Sequence, residues 1–140
     1  MTATTLHATT VDLDGQGVLI TGASGSGKSS LALQLIALGA RLVADDQTAL
    51  VAKNGQLWAS RPANLPPLIE ARGVGLMHAP LANRTAIALA VDMNRGETNR
   101  LPPSRQVTHL GCPIPLLHKA EGLHFAPAIL IYLRHGREAP

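Results

Sequence analysis

Aromatic side chains are almost missing from this sequence, with one Phe, one Tyr and one Trp in 140 residues. A core built without them falls to Leu, Ile, Val and Ala, which suits helices packed on a sheet. The stacking platforms of single-strand nucleic-acid binders have no residues from which to be made. Runs of Lys or Arg are missing as well, so nucleic acid is not an expected partner. The one cysteine, Cys112, excludes an internal disulfide, fits a reducing compartment, and reads as a small buried hydrophobe without a function. The six histidines show no paired ligand spacing with it, which argues against a structural zinc site. The longest apolar run, residues 126–133, is far below membrane-spanning length, and the opening MTATTLHATT has neither a basic nor an apolar signal region. A cytoplasmic protein with no membrane partner is expected.

The composition is that of a soluble globular chain, 46% hydrophobic and 15% charged, and its length suits one domain. The net charge of +3 is uneven. Residues 61–140 carry nine of the twelve basic residues and five of the nine acidic ones, making this half the better candidate for meeting an acidic partner.

The chain is organised around residues 17–38, GVLITGASGSGKSSLALQLIAL. A short β-prone run, residues 18–21, leads into GASGSGKS at 22–29, which matches G-x-x-x-x-G-K-[ST] at every required position, and a helical pattern follows over 30–38. Gly22, Gly25 and Gly27 permit a tight turn that points successive N–H groups inward, a nest for phosphate oxygens at the positive end of a helix. Lys28 supplies a mobile charge for β- and γ-phosphates, and the Ser29 hydroxyl suits Mg²⁺.

Before this segment, residues 5–13 (TLHATTVDL) alternate as one strand, with a turn at Asp14-Gly15 forming a hairpin into the phosphate loop. His7 sits on that strand, within reach of the loop, although a lone strand histidine is more often structural. After the helix, which is expected to stop at Gly39, residues 40–44 (ARLVA) read as a buried strand ending in Asp45-Asp46. Such a strand end is where phosphate-loop enzymes set a carboxylate that holds Mg²⁺ or takes a proton. If the backbone stays extended, the two carboxylates point to opposite sides and take different roles.

Residues 48–53 and 56–60 alternate around Asn54-Gly55 and predict a scaffold hairpin. In residues 69–75, IEARGVG, Glu70 and Arg72 are set two apart beside glycines, as metal and phosphate contacts need, though the same residues also describe a surface ion pair. Residues 85–91 predict an apolar strand ending at Asp92, a rival metal carboxylate. A polar segment over 94–105 reads as a mobile surface loop offering Arg95, Arg100 and Arg105 to an acidic surface or to solvent. Short strands are expected over 106–110 and 113–117, then a polar turn with His118, Lys119 and Glu121. Pro127 as first helical residue and Gly136 just past the end predict a terminal helix over 126–135.

His7 within TTLHA, GVLITGASGSGKSSLAL, LVADD at 42–46 and IEARGVG at 69–75 together resemble the catalytic domain of the HPr kinase/phosphorylase family, which phosphorylates a serine of the phosphocarrier HPr in the sugar phosphotransferase system. The resemblance implies a single α/β P-loop kinase domain over residues 1–140, with a mixed β-sheet flanked by helices, and the short form of the family without the further N-terminal domain of long members. It implies ATP and Mg²⁺ as cofactors. Gly22, Ala23, Ser24, Gly25, Ser26, Gly27, Lys28, Ser29 and Ser30 would bind the nucleotide, and Ser29, Asp45 and Glu70 the metal. Asp46 would accept the serine proton and return it in phosphorolysis, beside Asp45, with Lys28, Arg72 and the family's active-site histidine, His7. HPr or an HPr-like protein would be the partner, and a homo-oligomer is expected because the family forms oligomers. Two departures stand out. Ser30 occupies a position where many members have Glu, and the family's arginine after its IP-containing strand falls at about His118-Lys119, neither of which reproduces a bidentate guanidinium. A small-metabolite kinase and a nucleotide-sensing module without turnover remain as alternatives.

Overall fold

The computed structural model describes residues 2–139. In chain order the elements are β1 (Thr2–Leu6), β2 (Ala8–Leu13), β3 (Gln16–Thr21), α1 (Lys28–Ala37), β4 (Arg41–Ala44), β5 (Thr48–Lys53), β6 (Gln56–Ser60), β7 (Ile69–Ala71), β8 (Gly75–Met77), β9 (Arg84–Gly96), β10 (Arg105–His109), β11 (Cys112–Lys119) and α2 (Phe125–His135). Nine strands form one mixed sheet whose main path runs β1-β5-β6-β9-β3-β2-β4, and β7 and β8 make a separate small hairpin.

β9 is the central strand. One of its edges pairs in parallel with β3. The opposite edge is divided, antiparallel to β6 at residues 84–86 and parallel to β11 from Ala90 onward. The carboxyl ends of β3 and β11 therefore align at Asp92 of β9, with Thr21 beside Asp92 and Asp92 beside His118, and ligands of open α/β sheets bind outside such strand ends. β3 and β9 approach so closely that a Cβ on Gly17 would lie 2.6 Å from Thr85 Cγ2 and 2.9 Å from the Ala86 carbonyl oxygen. Only glycine fits there.

Period-two alternation sends neighbouring side chains to opposite faces. Val18 and Ile20 of β3 join Leu31 and Leu35 of α1 and Phe125 and Ile129 of α2 in one core, whereas Leu19 joins Leu50, Leu57 and Ile114 in another. Both helices thus cover one face, and the β5–β6 and β10–β11 hairpins curl over the other. Cys112 is 5% exposed within this second core, as its reading as a buried hydrophobe requires.

Several expectations need correction. Residues 5–13 are two strands, not one: the chain breaks at His7, β1 leaves to pair with β5, and β2 stays between β3 and β4. β9 does not stop at Asp92, because the β11 ladder carries it to Gly96 despite its polar composition. Arg105 opens a strand, and His118 and Lys119 end β11 instead of lying in a turn. Arg105 is also paired, at 3.0 Å from Glu97, and that guanidinium, helped by the Thr98 and Asn99 amides, holds the Glu97 carboxyl below its ordinary value against the opposing effect of desolvation. α2 begins two residues before Pro127, and Gly136 (φ +77°) closes it by donating its N–H to the Tyr132 carbonyl.

Candidate active site

The phosphate loop leaves the end of β3 and enters α1 through Gly27, whose φ of +102° no L side chain adopts comfortably. No side chain caps this helix start, and its first turn carries no acidic residue. Its leading N–H groups are left to whatever occupies the loop. The loop is braced within and from outside: Ser26 N–H donates to the Ala23 carbonyl, and Ala23 N–H donates to Asn94 Oδ1 at 2.9 Å. Those two amides are therefore engaged, which narrows the nest expected from the sequence.

Lys28 is 6% exposed, and its ammonium donates to the Gly22 and Ala23 carbonyls at 2.8 and 3.2 Å. At 3.4 Å it meets His7 Nε2, while His7 Nδ1 lies 3.4 Å from Asp46 Oδ1. An ammonium has only donors, so Nε2 is the acceptor in this contact, and the other ring nitrogen is the one turned to Asp46. The break between β1 and β2 is what frees His7 to join Lys28 to Asp46.

The two adjacent carboxylates do separate, but not on an extended backbone. Asp46 has φ +69°, a left-handed conformation that Asp tolerates better than most residues. Asp45 turns inward, where Oδ1 accepts from Ser29 Oγ at 2.8 Å and Thr9 Oγ1 at 2.9 Å and Oδ2 accepts from Glu70 N–H at 3.0 Å. Asp46 turns outward, and its own N–H donates to Thr9 Oγ1 at 3.1 Å. One buried threonine thus ties the Asp45 carboxylate to the Asp46 backbone.

A cavity of about 520 Å³ opens between these groups, lined among others by Ser24, Gly25, Lys28, Ser29, Ser30, Asp46, Glu70 and Arg72. Glu70 and Arg72 reach it from the β7–β8 hairpin. Glu70 is joined to Asp45 through its backbone N–H and not through its carboxylate. Asp92, the rival carboxylate, instead accepts from Asn94 N–H and lies 3.8 Å from Arg95.

The donor set fits a phosphate chain. An uncapped helix start and a nearly buried ammonium stand together at the cavity, and the Ser26 hydroxyl within the loop is buried with no hydrogen-bond partner. Among the described residues no group of three or more His, Cys, Asp or Glu could hold a metal ion by itself. Ser29 and Asp45 form a hard-oxygen pair suited to Mg²⁺, which commonly takes its other ligands from phosphate and water.

Sequence reasoning missed Thr9 and Asn94. Each acts across a long sequence separation, on Asp45 and Ala23 respectively, and neither residue type in a strand carries a local signal for that role.

Residues 1–103 match the family model described as HPr Serine kinase C-terminal domain. The chain is 40% identical over 122 residues to the HPr kinase/phosphorylase of Burkholderia lata, covering 79% of this chain and 38% of that protein. It is 49% identical over 75 residues to the HPr kinase/phosphorylase of Streptococcus thermophilus, covering 53% of this chain and 24% of that protein. The chain thus spans roughly a quarter to two fifths of the length of these relatives. In three dimensions it is similar to the Hpr(Ser) kinase/phosphatase of Coxiella burnetii, with a TM-score of 0.79, 29% identity and 94% of each chain covered. A phosphate loop with its paired carboxylates, the family model across most of the sheet and a matching solved fold lead to one assignment: this chain belongs to the HPr serine kinase C-terminal domain family.

Proposed function

We propose that this chain is an ATP- and Mg²⁺-dependent protein serine kinase that phosphorylates HPr or an HPr-like phosphocarrier. The observation that carries the reading is the division of labour between Asp45 and Asp46. Asp45 is committed to Ser29 and Thr9, whereas Asp46 faces the cavity beside Lys28, bridged by His7.

The loop amides and Lys28 would hold the phosphate chain of ATP, and Ser29 and Asp45, with Glu70 at the rim, would hold Mg²⁺. A metal held there would supply positive charge against the negative charge developing on the transferred phosphate. Asp46 would take the proton from the acceptor hydroxyl as its oxygen attacks, a role open to it because its side chain is 62% exposed at the cavity mouth. His7, whose Nδ1 lies 3.4 Å from Asp46 Oδ1, would orient that carboxylate. Arg72, which lines the same cavity, would meet the transferred phosphate or the acceptor.

The test is incubation with ATP, Mg²⁺ and HPr from the same organism, read by intact mass and serine mapping. One phosphate on one serine, lost in Asp46→Asn, is the expected result. Asn tolerates the left-handed backbone as Asp does, so the substitution probes the proton acceptor and not the fold. No transfer to HPr by a protein that still binds ATP would overturn the reading.

A further inference from the structure

We infer that a second cavity beside the phosphate loop receives the base of the nucleoside triphosphate. This rests on the phosphate-loop reading above and extends it to the other end of the ligand.

The cavity measures about 270 Å³ and shares Gly27 and Ser30 with the larger one. Ser30 stands on the ridge of α1 between them: Ser29 and Leu33 face one side, Leu31 and Gln34 the other. The two cavities differ in chemistry. The first collects Lys28, Asp46, Glu70 and Arg72. The second has one wall of Leu31, Met93, Ala120 and Phe125, and its polar lining is Gln34 with the Lys119–Glu121 pair, 3.9 Å apart. Leu31, Met93 and Phe125 are 3%, 7% and 8% exposed, so these walls are fixed by the core behind them.

A nucleotide has the same polarity, with a polyanion at one end and a flat heteroaromatic ring with a hydrogen-bonding edge at the other. Phosphates seated on the loop leave the ring beyond the first turn of α1, at the carboxyl ends of β9 and β11, where Met93 and Ala120 stand just past the aligned row Asp92 and His118. A ring there would lie against the single Phe and a thioether, both favourable to π faces. The Gln34 amide offers a donor and an acceptor to its edge. Lys119 is held at the rim by its carbonyl, which accepts from Glu97 N–H at 2.8 Å.

The test compares two probes with Mg²⁺ by titration calorimetry: ATP, and inorganic tripolyphosphate, which has the phosphates but no base. ATP should bind at least about tenfold more tightly, since an aromatic ring set against the apolar wall of this cleft adds affinity. Gln34→Ala, on the exposed side of α1, should weaken ATP about fivefold by loss of one hydrogen bond and leave tripolyphosphate unchanged. Photolabelling of the unsubstituted protein with 8-azido-ATP should mark the peptide over residues 119–125. Equal affinity for the two probes, or labelling confined to other segments, would overturn this inference and leave the phosphate loop intact. Binding of neither probe would overturn the phosphate-loop reading itself.

Discussion

Replacing Thr9 with valine removes one hydroxyl from a residue that is fully buried. That oxygen donates to Asp45 Oδ1 and accepts from Asp46 N–H, so two hydrogen bonds disappear together. A bond to a carboxylate contributes about 1.5–3 kcal/mol, and an amide left unpaired costs about 1–3 kcal/mol where water is excluded. Asp46 is exposed, so water recovers part of the second term, and the expected loss is about 2–4 kcal/mol. For a domain of this size that corresponds to a fall in Tm of roughly 6–12 °C. Urea denaturation gives the stability, and calorimetry of Mg²⁺-ATP binding reads the loosened Asp45. Thr9→Ser, which keeps the hydroxyl, should retain most of both. A valine variant within about 0.5 kcal/mol of the parent, with unchanged nucleotide affinity, would refute the claim that this threonine holds the Asp45 carboxylate and the Asp46 backbone.

Gly17→Ala forces a methyl against a buried threonine and a backbone carbonyl, neither able to withdraw freely, and should cost about 1–3 kcal/mol in a denaturant titration. Lys28→Ala should abolish nucleotide-dependent chemistry while far-UV circular dichroism stays native, and unchanged phosphate transfer would refute the site. Desolvation holds half-buried His109 below its usual value of 6.5. The unfolded chain therefore binds this proton first as pH falls, so the stability is present above the unfolded value and is lost on acidification through it. His109→Gln should flatten the decline between pH 7.5 and 5.5 in paired denaturation curves, and parallel curves would dismiss that assignment.

What could be read from the sequence was local. The hairpin of β5 and β6 matches its expected bounds because Asn54-Gly55 dictates the turn, with both residues at positive φ. The loop and α1 were legible for the same reason: glycines, lysine and serine at fixed offsets describe one backbone shape. The break at His7 was not legible, since alternation continues through it and says nothing of which strand each half will pair with. The hairpin of β7 and β8 has three residues in each strand, too few for a period to show. β9 ran past its expected end because exposed strand positions are polar and resemble loop. In the site, the types and order of Lys28, Asp45 and Asp46 were visible, but the left-handed turn that divides the two carboxylates was not, nor was the Thr9 hydroxyl that bonds the Asp45 carboxylate and the Asp46 N–H.

β9 pairs with the loop strand, and Asn94 beyond its midpoint latches the loop itself. Until that strand has been synthesised, β3 has an open edge and the Ala23 amide has no latch. A chain emerging from the ribosome carries its most recognisable motif early but has no scaffold to hold it in shape. The phosphate loop of the nascent protein therefore lacks this brace until residue 94 has emerged, and a chain cut short before that point exposes an unpaired apolar strand edge.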